Sequence, residues 1–479
     1  MLTRGMIGSL LVLAGGMVVS PLPRSARVLH LDPLLLLRGS TAGRMLGLAV
    51  VLVGLGMLAA AWIRLCRHAA GAGAGEQAEA LGLVRQATVV WALPLLIAPP
   101  LFSRDGWSYA AQGMLTTLDM SPYEHGPGVL RGPISQAVDP QWMNTPTPYG
   151  PLPLILGDIA ARLTADPWVL VIAHRCVAMI GLVLLAWALP RLARWNGVNP
   201  ALASGLVLAS PLMVSNGVGG LHNDLLMVGL MAAALVVAEE RGWPWAAALG
   251  GAAAAVKLPG GLICIAVALV SLPLAATLAQ RVRRLVAVGV VAIGTLWGLG
   301  AIWGLGTGWL AALAVPGTVN TPLSAPTVLG GVVDLIARGL GAGAPEAFFL
   351  EWTRALATVA ALVVAGWVAL RWRTGDRSTG IAATVFIVSA SLLLSPVVHL
   401  WYFLWLVPFL AVHRLGRSGT VFLIALSVVA GLVAPLDSSL HGAYLIIVVG
   451  STCAAALGGI VLLTTRARSR IAHIAQPAD

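Results

Sequence analysis

About fourteen apolar stretches, most of them near the length a helix needs to cross a bilayer, run through this chain and leave little between them. They lie near residues 5–20, 45–63, 86–102, 168–190, 200–218, 224–238, 243–256, 259–277, 285–305, 351–370, 379–396, 399–412, 418–435 and 442–464. A soluble domain would have to hide all of them from water with very few polar residues, since only 10% of the chain is charged and its mean hydropathy is +0.90. The expected fold class is therefore an all-α polytopic membrane protein of about 13–14 transmembrane helices. It is expected to form a single integral-membrane domain over 1–479. Met6 to Val19 has the length of a signal peptide, but no good small-residue cleavage site follows. It is read as an uncleaved first span.

The net charge of +11 does not point to nucleic acid, because the arginines fall between apolar stretches rather than along one stripe. They cluster at Arg64/Arg67, Arg191/Arg194, Arg241, Arg281/Arg283/Arg284, Arg371/Arg373/Arg377, Arg414/Arg417 and Arg466/Arg468/Arg470. With an even number of spans, these clusters share one side with both termini, and the positive-inside rule makes that side cytoplasmic. The basic stretch Arg24 to Arg44 breaks the pattern: either Leu34-Leu35-Leu36-Leu37 lies flat at the interface or the first span is misplaced. The opposite, outer side receives two long loops, about 103–167 and 306–350, and the polar turns. The four cysteines, Cys66, Cys176, Cys264 and Cys453, have neither disulfide nor metal-ligand spacing.

Chemistry is expected on that outer face. Asp105 stands directly after a span, placed to take a proton from a substrate hydroxyl, to pair with Arg104, or to cap the following helix. The first outer loop then carries Trp107, Tyr109, Tyr123, Glu124, Trp142, Asn144 and Tyr149 among prolines and glycines, aromatic faces that suit sugar rings or the membrane interface. His222, Asn223 and Asp224 form a second polar element, suited to hydrogen-bonding a headgroup or capping a helix. His399, beside Pro396 and followed by Trp401 and Tyr402, forms a third. Asn320, Thr321 and Arg354 are weaker candidates in the second loop. Lys257 is the one lysine among 29 Lys and Arg, and it lies inside apolar sequence. A cation there either snorkels to the headgroups or meets a phosphate as a point charge.

Together these segments resemble a known family. Arg104-Asp105-Gly-Trp-Ser-Tyr-Ala-Ala-Gln-Gly113, Asn144-Thr-Pro-Thr-Pro-Tyr-Gly-Pro-Leu-Pro153, Leu221-His-Asn-Asp-Leu225, Ala255-Val-Lys257 and His399-Leu-Trp-Tyr402 are similar to the actinobacterial α-(1→6)-mannopyranosyltransferases over roughly residues 85 to 465. The resemblance implies a C-type (GT-C) bundle with an outward active site on the plasma membrane. It implies polyprenyl-phosphate mannose as donor and an α-(1→6)-mannan glycolipid of the lipomannan and lipoarabinomannan type as acceptor, with no nucleic acid. Asp105 matches the family's first-loop aspartate. Lys257, His222, His399 and Arg104 are the candidates for holding the donor phosphate, with no metal or other cofactor expected. The loop residues, with Asn223, Asp224, Trp401 and Tyr402, are candidates for substrate binding. Alternatives are another GT-C transferase moving arabinofuranose or glucose, or a lipid-linked sugar flippase. A flippase would place its polar groups near the midplane, often with repeat symmetry, and no repeat is visible.

Overall fold

In hydrocarbon every backbone N–H and C=O must be satisfied within its own segment, which makes helices the available solution for a chain of this composition. The computed structural model describes residues 1–341, 343 and 345–437, with isolated positions beyond, and every regular element among them is helical. In chain order the first helices are α1 (Leu2–Val19), α2 (Asp32–Gly39), α3 (Thr41–Gly71), α4 (Gln77–Ala92), α5 (Asp105–Thr117), α6 (Pro151–Ala161), α7 (Pro167–Trp195) and α8 (Pro200–Leu208). They are followed by α9 (Asp224–Glu240), α10 (Trp243–Val256), α11 (Ile263–Val270), α12 (Leu278–Ile302), α13 (Ala325–Gly339), α14 (Phe348–Arg371), α15 (Arg377–Leu394), α16 (Val407–Ala411) and α17 (Arg417–Leu432).

Among the described residues, seven helical segments are long and apolar enough to cross a membrane: α1, α3, α4 with its extension to Ile97, α7, α12, α14 and α15. Each has at least 18 residues, which at about 1.5 Å per residue spans about 27 Å, close to the hydrocarbon thickness. The chain is a multi-pass membrane protein. All seven coincide with expected stretches, but the count differs from about fourteen. The stretch 200–218 is a pair, α8 and a π-helix Met213–Gly219, bent by 58°. Those at 224–238 and 243–256 form helices of only 17 and 14 residues. Leu258–Val270, Leu400–Ala411 and Arg417–Leu432 are shorter apolar helices. Hydropathy counts apolar residues and does not see where Pro211, Pro259 or Pro396 interrupts the backbone ladder. The last expected span, 442–464, and the cluster Arg466/Arg468/Arg470 lie outside the described residues.

The chain divides into two compact units. The first comprises Met1–Pro146, Pro153–Gly229 and Leu410–Asp479. There α1 and α3 run antiparallel at close quarters: a Cβ on Gly8 would stand 2.8 Å from Gly54 O, and one on Gly15 would collide with Gly47 O. Small residues at this spacing let two helix backbones approach in lipid. The foot of α1 is tied to the first long loop, with Ser20 Oγ donating to Leu101 O at 3.1 Å and Arg24 N to Gln136 Oε1 at 2.9 Å. The basic stretch that broke the arginine pattern therefore lies on the side of the long loop. Its Leu34–Leu37 run forms α2, pinned by Arg38 Nη1 on Met17 O at 2.6 Å, with Leu36 exposed. Helix α7 starts cleanly because Asp166 accepts from Trp168 N at 2.8 Å and Val169 N at 3.2 Å, with Pro167 in the first turn.

The second unit comprises Thr147–Leu152 and Leu230–Phe409. Leu269, Val368, Ala383 and Ile387 form one buried cluster, and Ala254, Ala255 and Leu296 another, against Leu152, Leu258 and Trp309. Val282, Val286, Val290, Ile293 and Trp297 remain exposed along α12, an apolar stripe that suits lipid. Asp334 on α13 receives Phe349 N at 2.9 Å and Leu350 N at 3.0 Å, so its carboxylate caps the first turn of α14.

Candidate active site

Asp105 is the first residue of α5 and follows an irregular stretch, 98–104, that links it to the extension of α4. Its carboxylate is nearly buried, with Oδ2 at 3.4 Å from both Tyr109 OH and His222 Nδ1. Tyr109 reaches it because residues four apart share a helix face. Arg104 does not pair with Asp105. Its Nη1 points to Val138 O at 3.4 Å, and burial lowers the guanidinium pKa from its ordinary value, partly offset by Asp139. The Nε of Arg104 is buried without a hydrogen-bond partner among the described residues.

His222, Asn223 and Asp224 are all buried where the π-helix gives way to α9. The turn passes through Leu221 at φ +57°, a left-handed conformation costing a branched side chain on the order of 1–3 kcal/mol and kept only where packing enforces it. That turn aims His222 at Asp105. Asn223 Nδ2 is buried without a hydrogen-bond partner among the described residues, an amide that a substrate hydroxyl or a water would satisfy. Among the described residues no three His, Cys, Asp or Glu side chains are grouped to hold a metal ion.

The loop residues separate in the same unit. Trp107, expected to position an acceptor, is instead 1% exposed, its Nε1 donating to Pro21 O at 3.2 Å and its ring edge-on to Trp168. It is a packing wedge. Tyr123 is buried, which raises its phenol pKa, and its hydroxyl has no partner among the described residues. Glu124 and Asn144 are exposed and Trp142 is half-buried, on a loop pinned by Gly128 N on Met143 O at 2.6 Å. His174 and Arg175, both buried on α7, were not singled out from sequence. His174 lies 5.9 Å from the Tyr109 ring between centroids, and the signal for both was available as two adjacent polar residues inside an apolar span.

In the second unit Lys257 caps the C-terminal end of α10 in an extended conformation and is 8% exposed. It does not snorkel. Its Nζ lies over the rings of Tyr402, Trp405 and Tyr149, at 4.1, 5.1 and 5.7 Å from their centroids. Tyr149 is delivered by Gly150, whose N–H donates to Val256 O at 3.0 Å and whose missing Cβ leaves room for Ala255 O. Tyr402 and Trp405 are stacked at 4.2 Å, and His399 stacks on Trp401 at 4.3 Å. Trp405 was missed because a tryptophan in an apolar run reads as core. Asn320, Thr321 and Arg354 organise the segment before His399. Val398 N donates to Thr321 Oγ1 at 3.0 Å, and Arg354 donates to Thr327 Oγ1 at 2.9 Å and Asn320 Oδ1 at 2.6 Å.

Residues 2–273 match the family described as alpha-(1->6)-mannopyranosyltransferase, N-terminal domain, and residues 326–464 match the MptB C-terminal domain. A probable alpha-(1->6)-mannopyranosyltransferase of Mycolicibacterium smegmatis is 30% identical over 88% of this chain and 80% of its own length. Alpha-(1->6)-mannopyranosyltransferase A of Mycobacterium tuberculosis is 30% identical over 92% and 85% of the two chains. Alpha-(1->6)-mannopyranosyltransferase B of Corynebacterium glutamicum is 29% identical over 74% and 64%. A family match over more than half the chain, on a multi-pass helical fold with buried polar clusters at its helix breaks, shows that this chain belongs to the membrane α-(1→6)-mannopyranosyltransferases.

Proposed function

We propose that the protein is an inverting transferase that moves mannose from polyprenyl-phosphate mannose to an α-(1→6)-mannan glycolipid at the outer face of the plasma membrane. The observation that carries this reading is the buried carboxylate of Asp105, faced by Tyr109 and His222 at the start of α5, in a chain of this family. A carboxylate held at a loop boundary can accept the proton of the acceptor's 6-hydroxyl as that oxygen attacks the anomeric carbon. The bond from that carbon to the phosphate oxygen breaks in the same step, the configuration changes from β to α, and polyprenyl phosphate leaves. The 3.4 Å spacings are long for hydrogen bonds, as catalytic contacts without substrate often are. We assign His222 to Asp105 as a positioning residue in place of the phosphate-binding role expected from the sequence, because its Nδ1 faces the carboxylate at 3.4 Å.

The leaving group gathers negative charge, and Lys257 and His399 are the groups we assign to it. A caged ammonium at the end of α10 would supply the opposing positive charge in a low-dielectric setting without a metal ion. Tyr149, Trp401 and Tyr402 then frame the donor, while Tyr123, Glu124, Trp142, Asn144, Asn223 and Asp224 are assigned to the acceptor glycan. In proteoliposomes supplied with polyprenyl-phosphate mannose and an α-(1→6)-mannoside acceptor, Asp105→Asn is expected to abolish transfer while the purified protein keeps its thermal midpoint. Near-normal turnover in that variant would remove Asp105 as the base.

A further inference from the structure

Arg175 lies in the third turn of α7, one of the membrane-crossing helices, and is fully buried. A guanidinium has five N–H donors, and here each has a main-chain carbonyl to meet. Nε donates to Val218 O at 3.1 Å. Nη1 donates to Leu96 O at 3.1 Å and to Ala98 O, and Nη2 to Pro99 O at 3.1 Å and Gly219 O at 3.5 Å. These acceptors belong to two irregular pieces of backbone, the extension of α4 and the end of the π-helix, and Leu101 N joins the pieces by donating to Gly219 O at 3.1 Å. Such backbone is tolerated in a membrane protein only where its freed carbonyls find donors. One piece runs on to Asp105 six residues after Pro99, and the other to His222 three residues after Gly219.

We infer that Arg175 is a positioning residue for catalysis: by clamping both pieces of backbone to one rigid helix, it sets the separation between Asp105 and His222. The inference rests on the reading of Asp105 as the base. Lysine offers three donors on a compact ammonium and cannot reproduce a planar five-donor fork, so Arg175→Lys keeps the charge and loses the clamp. A misplacement of about 1 Å at the reacting groups costs about a hundredfold in rate.

The test compares wild type, Arg175→Lys and Trp62→Phe, each as the full chain in proteoliposomes. Trp62→Phe removes a buried hydrogen bond to Gly205 O elsewhere in the same unit and serves as the stability control. Arg175→Lys is expected to lower kcat about a hundredfold, with KM for donor and acceptor within about twofold of wild type, and to move the acidic limb of the kcat–pH profile. Trp62→Phe should lower the thermal midpoint with kcat per folded molecule and the pH profile unchanged. Wild-type kcat and pH profile in folded Arg175→Lys overturn the inference, as does a loss that scales only with unfolded protein. Should Arg175→Lys not accumulate folded, Gly219→Ala probes the same junction, since its Cβ would stand 3.2 Å from both Leu101 Cδ1 and Val214 O. The same kcat-selective loss is expected there, and wild-type kcat in that variant overturns the clamp. An inactive Asp105→Asn alongside a fully active Arg175→Lys refutes the clamp alone, whereas an active Asp105→Asn refutes the base on which it rests.

Discussion

A single buried ammonium shows how far one residue's environment decides its role. The sequence left Lys257 open between snorkelling and phosphate binding, and both readings were compatible with its apolar neighbours. Burial within reach of three aromatic faces closes the first option, since each ring attracts the cation by about 0.5–2 kcal/mol when desolvated. None of the cage was legible locally, because Tyr149 and Tyr402 stand more than a hundred residues away on either side. Lys257→Met should keep the packing and lose the charge. Its expected effect is a loss of about a hundredfold or more in kcat/KM for the lipid-linked donor, with acceptor KM little changed. Unchanged donor kinetics in that variant would assign the lysine to packing alone. Asp105 was more legible, since its place after a span marked it, yet its partners His222 and Tyr109 emerged only with the fold.

At the scale of elements, the polar residues assigned to the proposed mechanism stand where helices are interrupted. His222 follows a π-helix, Lys257 ends α10 and His399 follows α15, each where the i→i−4 ladder stops and polar groups become available. Hydropathy merged these interruptions into spans, which is why the expected stretches among the described residues resolve into seven long membrane-crossing segments and several shorter pieces. The approach of Gly150 to the end of α10 has a checkable consequence. Gly150→Ala would drive a methyl group into Ala255 O, a backbone atom with no rotamer to yield, so a destabilisation of about 1–3 kcal/mol is expected in thermal unfolding. Gly294→Ala on α12 meets nothing within 4 Å, and replacing a helical glycine there should be neutral or stabilising by up to about 1 kcal/mol. Equal midpoints for the two variants would contradict the close approach.

For the whole molecule, the family and the membrane architecture agree: a helical chain that crosses the bilayer several times and keeps ordered loops beside its polar helix ends. The proposed mechanism asks a lysine to do what a divalent ion does for many diphosphate donors. Transfer is accordingly expected to persist in excess EDTA, measured in the same proteoliposomes; activity lost to chelator and restored by Mg²⁺ or Mn²⁺ would sink the metal-free reading. The helical class and the family could both be read from the chain alone, because hydrophobic periodicity and contiguous motifs are local properties. Tertiary structure alone decided which polar residues meet: Trp107 became a wedge, Arg104 a loop anchor and Arg175 a clamp. The reason is physical: a buried polar group is defined by the partners that satisfy it, and in this chain those partners come from segments far apart in sequence.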